Sequence, residues 1–184
     1  MVDVLRREAE YERSNYQKTE EVSMGPPNGY KLEEKSGDCL LKLVKEQNGE
    51  KVTVEIMANE PAEEIPLEDE NGQEVISSAV GFTVLVTKPG FTDALVFACA
   101  TNTDEPTLAV ESATLEPAEG EPEDSAYVGP IYEELDPELI GEFDSYLRDR
   151  GVDETLAGYI AAIAADKEQR EYVEWLERVR KFTA

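Results

Sequence analysis

The amino-acid sequence predicts an α+β protein in which an antiparallel sheet lies between an N-terminal helix and C-terminal helices. Two changes of hydrophobic period give this order: apolar spacing is helical at the start, alternates from Tyr30, and becomes helical again after Gly129-Pro130. Connections between the predicted strands are too short for crossover helices, which favours antiparallel pairing. The length fits a single domain at 1–184, divided into a helix at 1–21, a sheet with acidic loops at 30–132 and helices at 136–182.

The N-terminal segment has the pattern of one helix. Leu5, Ala9 and Tyr16 recur near helical spacing among charged residues. A break follows at Met24-Gly25-Pro26-Pro27, because glycine and proline do not continue a helix. We therefore expect one uninterrupted helix over 2–21.

Two hairpins account for most of the predicted sheet. Asn48-Gly49 separates two alternating runs, and both residues tolerate the positive φ of a type I′ turn, which predicts a hairpin over 38–58. A second hairpin is expected where 82–86 and 95–99 alternate on either side of Lys88-Pro89-Gly90. Further strands are expected at 108–115 and, as short candidates, near Tyr30 and Tyr127.

The C-terminal part contains the signals of successive helix ends. Asp136-Pro137 is an N-cap followed by proline at the first helical position, and Arg150-Gly151 is typical of a helix end. Asp153 is placed to cap the next helix. Asp166 and Gln169 resemble a capping box, which predicts that the helix restarts or bends there.

Charge and composition exclude several classes of function. The chain has 17 Lys and Arg, 42 Asp and Glu, no histidine and a formal charge of −25. Without histidine, the common nucleophilic catalytic triads and dyads and the histidine-containing zinc sites are excluded, and we expect no catalytic residue, no cofactor and no metal site. The negative charge repels phosphate backbones, so we also expect no direct nucleic-acid binding. No apolar run approaches the roughly 20 residues of a membrane span. Cys39 and Cys99 are interpreted as two packed, reduced thiols.

Two segments, 60–74 and 116–124, are rich in acids, proline and glycine, and we expect both to be loops, the first of them mobile. One interpretation is a solvated loop, and the other is a docking surface for Lys/Arg-rich proteins. A calcium loop around Gly72 fails, because Leu67 and Ser78 fall where ligands are required. The candidate docking residues are Glu63, Glu64, Glu68, Asp69 and Glu70, with Glu121, Glu123 and Asp124 as a second patch.

A series of short motifs resembles the mitochondrial acidic matrix protein family. The C-terminal motifs are Tyr127-x-Gly129-Pro130, Leu135-Asp136, Phe143, Tyr146-Leu147, Arg150-Gly151-Val152, Lys167-Glu168, Tyr172-Val173, Trp175-Leu176 and Phe182. Upstream, the strand pairs around Gly49 and between Phe82 and Val96 are also similar. The sequence departs from the family pattern at Gly141 and Gly158 and in its alanine-rich stretch, Ala161, Ala162, Ala164 and Ala165.

The resemblance implies one highly twisted antiparallel sheet of about seven strands, three copies assembled as a doughnut-shaped homotrimer, and residence in the mitochondrial matrix. It supplies no catalytic residue and no cofactor. Residues 1–12 are too charged for a secretory signal and too acidic for an organellar presequence, so the compartment follows from the resemblance alone. An oligomer is also expected because the strands are apolar on both faces, as with Leu40 opposite Leu41 and Val96 opposite Phe97.

The leading functional hypothesis is a non-enzymatic acidic hub that docks basic proteins. Its expected partners include RNA-binding and ribosome-assembly factors, in support of mitochondrial RNA processing or editing, translation and respiration. The alternative is a low-affinity divalent-cation buffer that uses many weak carboxylate sites. Subunit assembly and helix packing are assigned to Leu5, Tyr172, Trp175, Leu176, Val179 and Phe182.

Overall fold

The computed structural model describes residues 1–60, 63–68, 74–103, 106–120, 122–123 and 125–184, with the backbone alone for 63–68 and 74–77. The helices are α1 (Val2–Asn15), α2 (Glu20–Met24), α3 (Pro137–Asp149) and α4 (Glu154–Phe182), with a 3-10 turn at Tyr132–Glu134. The strands are β1 (Lys31–Glu34), β2 (Leu40–Gln47), β3 (Glu50–Met57), β4 (Glu63–Glu68), β5 (Glu74–Thr87), β6 (Asp93–Asn102) and β7 (Ala109–Pro117).

The seven strands form one antiparallel sheet in the order β1-β2-β3-β5-β6-β7, with β4 also paired to β5. Ala79 pairs with Glu63 of β4 on one side and with Asn102 of β6 on the other. Strand β4 therefore lies on the same side of β5 as β3, and these two strands follow each other along its length. The predicted antiparallel sheet between N-terminal and C-terminal helices is confirmed.

Both predicted hairpins are present. Asn48 and Gly49 have φ of 53° and 78° and join β2 to β3, where Gln47 pairs with Glu50. Strands β5 and β6 pair across the predicted Lys88-Pro89-Gly90 turn. Strand β1 follows Tyr30 and β7 begins next to the expected position, so the alternating pattern identified these strands correctly.

One face of the sheet and the C-terminal helices enclose the core. Leu43, Val54, Val84 and Phe97 are aligned across four strands and are all fully buried. Leu147 of α3 and Leu156 and Ile160 of α4 are fully buried in the same cluster. The opposite face is half-buried and mixed in character. Val44, Leu85 and Val96 lie in one row with Thr53, and Lys42 and Glu55 form an ion pair on the same face.

The single N-terminal helix predicted over 2–21 is wrong, because the segment forms two helices. Tyr16 leaves α1 with an extended backbone and donates its hydroxyl to a carboxylate oxygen of Asp166 on α4. Thr19 then starts α2 by accepting a hydrogen bond from the Val22 backbone N–H. A tertiary contact and a new N-cap therefore replace the continuous helix that apolar spacing predicted.

The mobile acidic loop predicted over 60–74 is also wrong for its described part, since Glu63–Glu68 forms β4. Each of its six residues pairs with a residue of β5, from Glu63 with Ala79 to Glu68 with Glu74. Pro66 lacks a backbone donor, but within the described sheet β4 pairs only with β5, and proline is tolerated in an edge strand. Backbone pairing with β5 therefore makes 63–68 a strand, although its acids and proline are typical of a loop.

The strand candidate near Tyr127 is not a strand. The segment contributes one backbone bond to β7, from Leu115 N–H to Val128 O at 2.8 Å, and Tyr127 itself is exposed. A Cβ at Gly129 would lie 2.8 Å from the Ala113 carbonyl oxygen, so only glycine permits this close approach. The chain crosses β7 there instead of extending the sheet.

The predicted caps of α3 and α4 are confirmed. Asp136 accepts from Glu138 N–H at 2.9 Å, and Asp153 accepts from Leu156 N–H at 3.0 Å. The restart predicted at Asp166 is wrong, because α4 is continuous for 29 residues. Asp166 instead accepts from the Tyr16 hydroxyl and from Arg170 Nε at 2.7 Å, so its side chain is used in tertiary packing rather than in a cap.

A buried lysine joins α4 to the end of β1. Lys167 has no exposed side-chain surface, and its ammonium donates to Glu171 at 2.6 Å and to the Lys35 carbonyl at 2.7 Å. Glu34 lies 3.6 Å from the same ammonium and accepts from Arg170 at 2.8 Å. Glu171 also accepts from the backbone N–H of Gly37. This network, here called the Lys167 network, orders the β1–β2 connection against the helix.

Replacement of Lys167 by methionine should lower the free energy of unfolding by about 3 kcal/mol. Glu171 would lose the buried cation that neutralises it, and the Lys35 carbonyl would lose its hydrogen-bond donor. Urea unfolding at one fixed protein concentration measures the change. Arg148→Met is the matched control, since Arg148 pairs with Glu154 on the surface and its loss should matter far less. Equal losses in the two variants would contradict this role of Lys167.

Glu171 makes the same network dependent on pH. The hydrogen bond from Lys167 outweighs burial and holds the pKa of Glu171 below its ordinary value of 4.5. A lowered folded-state pKa contributes stability above the unfolded pKa and loses it as pH falls through the folded value. Glu171→Gln should therefore be less stable than the wild type at pH 7, and this difference should shrink below about pH 4.5.

Urea unfolding at a series of pH values measures that difference. Glu142→Gln, which removes an exposed carboxylate from α3, controls for the loss of one negative charge. A stability difference between Glu171→Gln and wild type that stays constant from pH 7 to strongly acidic pH would refute the linkage.

Candidate acidic binding surface

The first predicted docking cluster lies along β4 and the connection that follows it. Glu63, Glu64 and Glu68 belong to β4, where Glu68 pairs directly with Glu74 of β5. Asp69 and Glu70 lie outside the described residues. The backbone therefore arranges part of this cluster at the end of β5 farthest from the β5–β6 turn.

An acidic cavity of about 460 Å³ lies beside β5, just beyond the residues of β5 that pair with β4. Glu55, Glu60 and Glu111 line it, together with Gly81, which lies two residues from the position that pairs with Glu63. Glu55 accepts from Lys42 at 2.6 Å. Sequence analysis missed Glu55 and Glu111 because only strand register brings them together, although each occupies an alternating strand.

The segment that precedes the second predicted patch lies at the other end of β5. Ala118 donates its backbone N–H to Thr92, which places 118–120 beside the β5–β6 turn. Glu123 is exposed, and its carbonyl accepts from Ala126 N–H at 2.8 Å. Glu121 and Asp124 lie outside the described residues. Because β5 has 14 residues at about 3.3 Å each, its two ends are separated by roughly 40 Å, and 63–68 and 118–120 lie toward opposite ends of this strand.

Internal ion pairs use many of the few cations. All 17 Lys and Arg residues lie in the described part of the chain, and nine of them contact carboxylates: Arg6, Arg13, Lys42, Lys88, Arg148, Arg150, Lys167, Arg170 and Arg180. Those positive charges are therefore neutralised within the chain. Many exposed acids, such as Glu46, Glu119 and Glu142, form no ion pair among the described side chains, so the surface retains a large negative excess.

Glu50 is the centre of another internal cluster, at the β2–β3 turn. Arg150 contacts Glu50 at 2.6 Å, and Lys88 contacts it at 2.8 Å. The Arg150 guanidinium also lies 3.3 Å above the centre of the Tyr146 ring. Burial opposes ionisation of Glu50, but hydrogen bonds from Lys88 and Arg150 outweigh it and lower the pKa of this carboxyl. These cations are consequently held for structure rather than presented to an anionic ligand.

The residues assigned to packing and assembly fall into two groups. Leu176 is buried, while Leu5, Tyr172 and Val179 are half-buried where α1 and α4 run together. Trp175 stacks on Tyr172 with ring centres 6.2 Å apart and is 48% exposed. Phe182 is 92% exposed at the end of α4. Within one chain, Trp175 and Phe182 therefore remain open to contact.

The two cysteines are free, and burial raises the pKa of Cys99 to about 12, so this thiol stays protonated. Cys39 is half-buried rather than fully packed. Among the described residues, no three cysteine, aspartate or glutamate side chains form a group suited to a metal ion. None of the described helices is long and apolar enough to span a bilayer.

Comparison with known proteins places this acidic fold among mitochondrial proteins. The mitochondrial glycoprotein family (MAM33) matches residues 5–183. The mitochondrial acidic protein mam33 of Schizosaccharomyces pombe is 28% identical over 211 aligned positions, covering 99% of this chain and 77% of that protein. The mitochondrial complement component 1 Q subcomponent-binding protein of Bos taurus is 30% identical, covering 84% of this chain and 61% of that protein.

A solved structure shows the same fold. It is a hypothetical protein of Leishmania major described as a sequence homologue of human p32, with a TM-score of 0.76 and 26% identity over 100% of this chain and 97% of that one. The family match, the named relatives and this structure agree across nearly the whole chain. The protein is therefore a mitochondrial protein that belongs to the mitochondrial glycoprotein family.

Proposed function

We propose that this protein is a non-enzymatic acidic hub of the mitochondrial matrix that docks Lys/Arg-rich proteins. The proposal rests on the distribution of charge. The chain has a formal net charge of −25, and nine of its 17 cations are used in internal ion pairs. A surface of this kind attracts basic proteins at long range and repels nucleic acids. RNA contact would then be indirect, through basic partners.

The relatives support a role in binding. The bovine relative is named for binding a complement subcomponent, and the yeast relative is named for its acidity. For this chain, the proposed partners are RNA-binding and ribosome-assembly factors, whose basic surfaces complement its charge. Such partners would connect the protein with mitochondrial RNA processing or editing, translation and respiration.

The proposed assembly is a doughnut-shaped homotrimer. Support comes from apolar surface that a single chain leaves partly open: the half-buried row Val44, Leu85 and Val96, and the exposed Trp175 and Phe182. Association of three strongly negative chains must overcome mutual repulsion, so contacts between them must be largely apolar. A trimer would also triple the negative charge offered to one partner.

Charge reversal in the first cluster should weaken docking. Glu68→Lys, Asp69→Lys and Glu70→Lys combined should lower the affinity for a labelled Lys/Arg-rich peptide roughly tenfold at low salt, because the local potential changes sign. The effect should fade near 1 M salt, where the screening length is only about 3 Å. Fluorescence anisotropy measures the affinity, and circular dichroism confirms the fold.

The matched control reverses three exposed acids of α3, Glu138→Lys, Glu142→Lys and Asp149→Lys, which gives the same net charge. A smaller loss in this control supports docking at the β4 end of the sheet. Equal losses would assign attraction to net charge alone, and unchanged binding in the first variant would remove this cluster from the mechanism.

Rising salt should strengthen the trimer. Screening weakens repulsion among the negative subunits while leaving apolar contacts intact. Sedimentation velocity between 0.05 and about 0.5 M salt, a range over which the screening length falls severalfold, should show a trimer throughout and a lower dissociation constant at the higher concentration. A monomer at moderate salt, or dissociation as salt increases, would contradict the proposed assembly.

A further inference from the structure

A groove runs along α4 beside the short helix α2. One part has a volume of about 680 Å³ and the next about 370 Å³, and the two parts share Thr19, Ala162 and Ala165. Gly158 and Ala161 extend the floor of the first part. From Glu154 to Gln169 the groove follows 16 residues of helix, or roughly 23 Å at 1.5 Å per residue. We refer to it as the α2–α4 groove.

The first part of the groove is mainly apolar, and the second part is lined mainly by polar residues. Met24, which is 75% exposed, and Pro106 line the first part together with the small residues Gly158, Ala161, Ala162 and Ala165. Polar side chains such as Asn15, Gln17 and Gln169 line the second part.

The charged groups among the described lining residues are carboxylates. Glu21 and Glu12 have no cationic partner among the described side chains, although Glu12 accepts from Gln169 at 2.6 Å, whereas Glu154 is paired with Arg148 and the buried Asp166 is paired with Arg170. Glu21 is exposed and forms no ion pair with any described side chain.

We propose that the α2–α4 groove binds a basic amphipathic helix of a partner protein. This inference rests on the proposed docking function and names its site and ligand class. Small side chains along one helix face let a second helix approach closely, so its apolar side chains can fill the larger cavity. Lysines and arginines at the edges of that helix would reach Glu21 and Glu12, since Glu154 and Asp166 are already paired with Arg148 and Arg170. The exposed thioether of Met24 can adapt to different apolar side chains.

Charge argues for a basic partner rather than for a second copy of this chain. The copy would bring another −25, and its own helices carry Glu20 and Glu21 in the first turn of α2 and Glu168 on the surface of α4. Placing these carboxylates against Glu12 and Glu21 would add like-charge repulsion. The small residues at 158, 161, 162 and 165 leave room for a partner along α4.

Two labelled peptides of identical composition test the inference. One places leucines at i, i+3, i+4 and i+7 with lysines and arginines on the flanks, and the other scrambles the leucines so that no apolar face forms. The helical peptide should bind at least roughly tenfold more tightly, because burial of even one leucine side chain is worth about that factor. Anisotropy titrations at moderate salt measure both affinities.

Ala165→Phe fills the shared part of the groove and should abolish the preference for the helical peptide while leaving binding of the scrambled peptide unchanged. Ser145→Phe, on an exposed position of α3, is the matched control and should keep the preference. Met24→Ala removes an exposed side chain without risk of a clash, so it provides a second test if Ala165→Phe does not fold. It should reduce the preference severalfold.

The outcomes separate this inference from the proposed function. Equal binding of both peptides to the wild type, or an unchanged preference in both groove variants, overturns the groove and leaves general docking intact. Loss of the native oligomer in folded Ala165→Phe also overturns it, because the groove would then be a subunit contact. Failure of both peptides to bind at low salt overturns the groove and the docking function together.

Discussion

The structure depends on how 17 cations are distributed among 42 acids. Lys167 and Arg170 bring Glu34, Asp166 and Glu171 together between α4, β1 and the segment after α1. Without those two cations the same region would concentrate negative charge beside the core. The fold therefore uses positive charge where elements must approach each other and leaves negative charge on the outside, so one constraint explains both the packing of α4 and the character of the surface.

Much of the fold could be predicted from the sequence, because its signals are local. Asn48-Gly49 specifies a hairpin, and Asp136 and Asp153 cap α3 and α4, each through its own neighbours. The errors arose where distant contacts decided the outcome. The chain leaves α1 at Tyr16, whose hydroxyl donates to Asp166. Asp166, which was predicted to cap a new helix, therefore takes part in packing within the continuous helix α4. Strand β4 was hidden by its acids and proline, although Asn71-Gly72, a second hairpin signal, lies between β4 and β5 in the sequence.

The negative charge of the candidate surface could be predicted from the sequence, but the grouping of its acidic residues in the fold could not. Composition alone indicates a strongly anionic protein. Strand register was needed to bring Glu55, Glu60 and Glu111 around one cavity and to place 63–68 and 118–120 toward opposite ends of β5. The α2–α4 groove likewise requires α1, α2 and α4 to be assembled, since the alanines of α4 are ordinary helix formers when considered alone.

The end-to-end arrangement of β3 and β4 along β5 leaves room for evolutionary change. Val52 and Val54 fix the register of one half of β5, while β4 pairs with the other half through its own hairpin. Changes of length between Glu68 and Glu74 therefore need not shift the core strands, because β3 fixes their register independently. The number of acids in this connection can thus vary among related proteins while the scaffold stays unchanged.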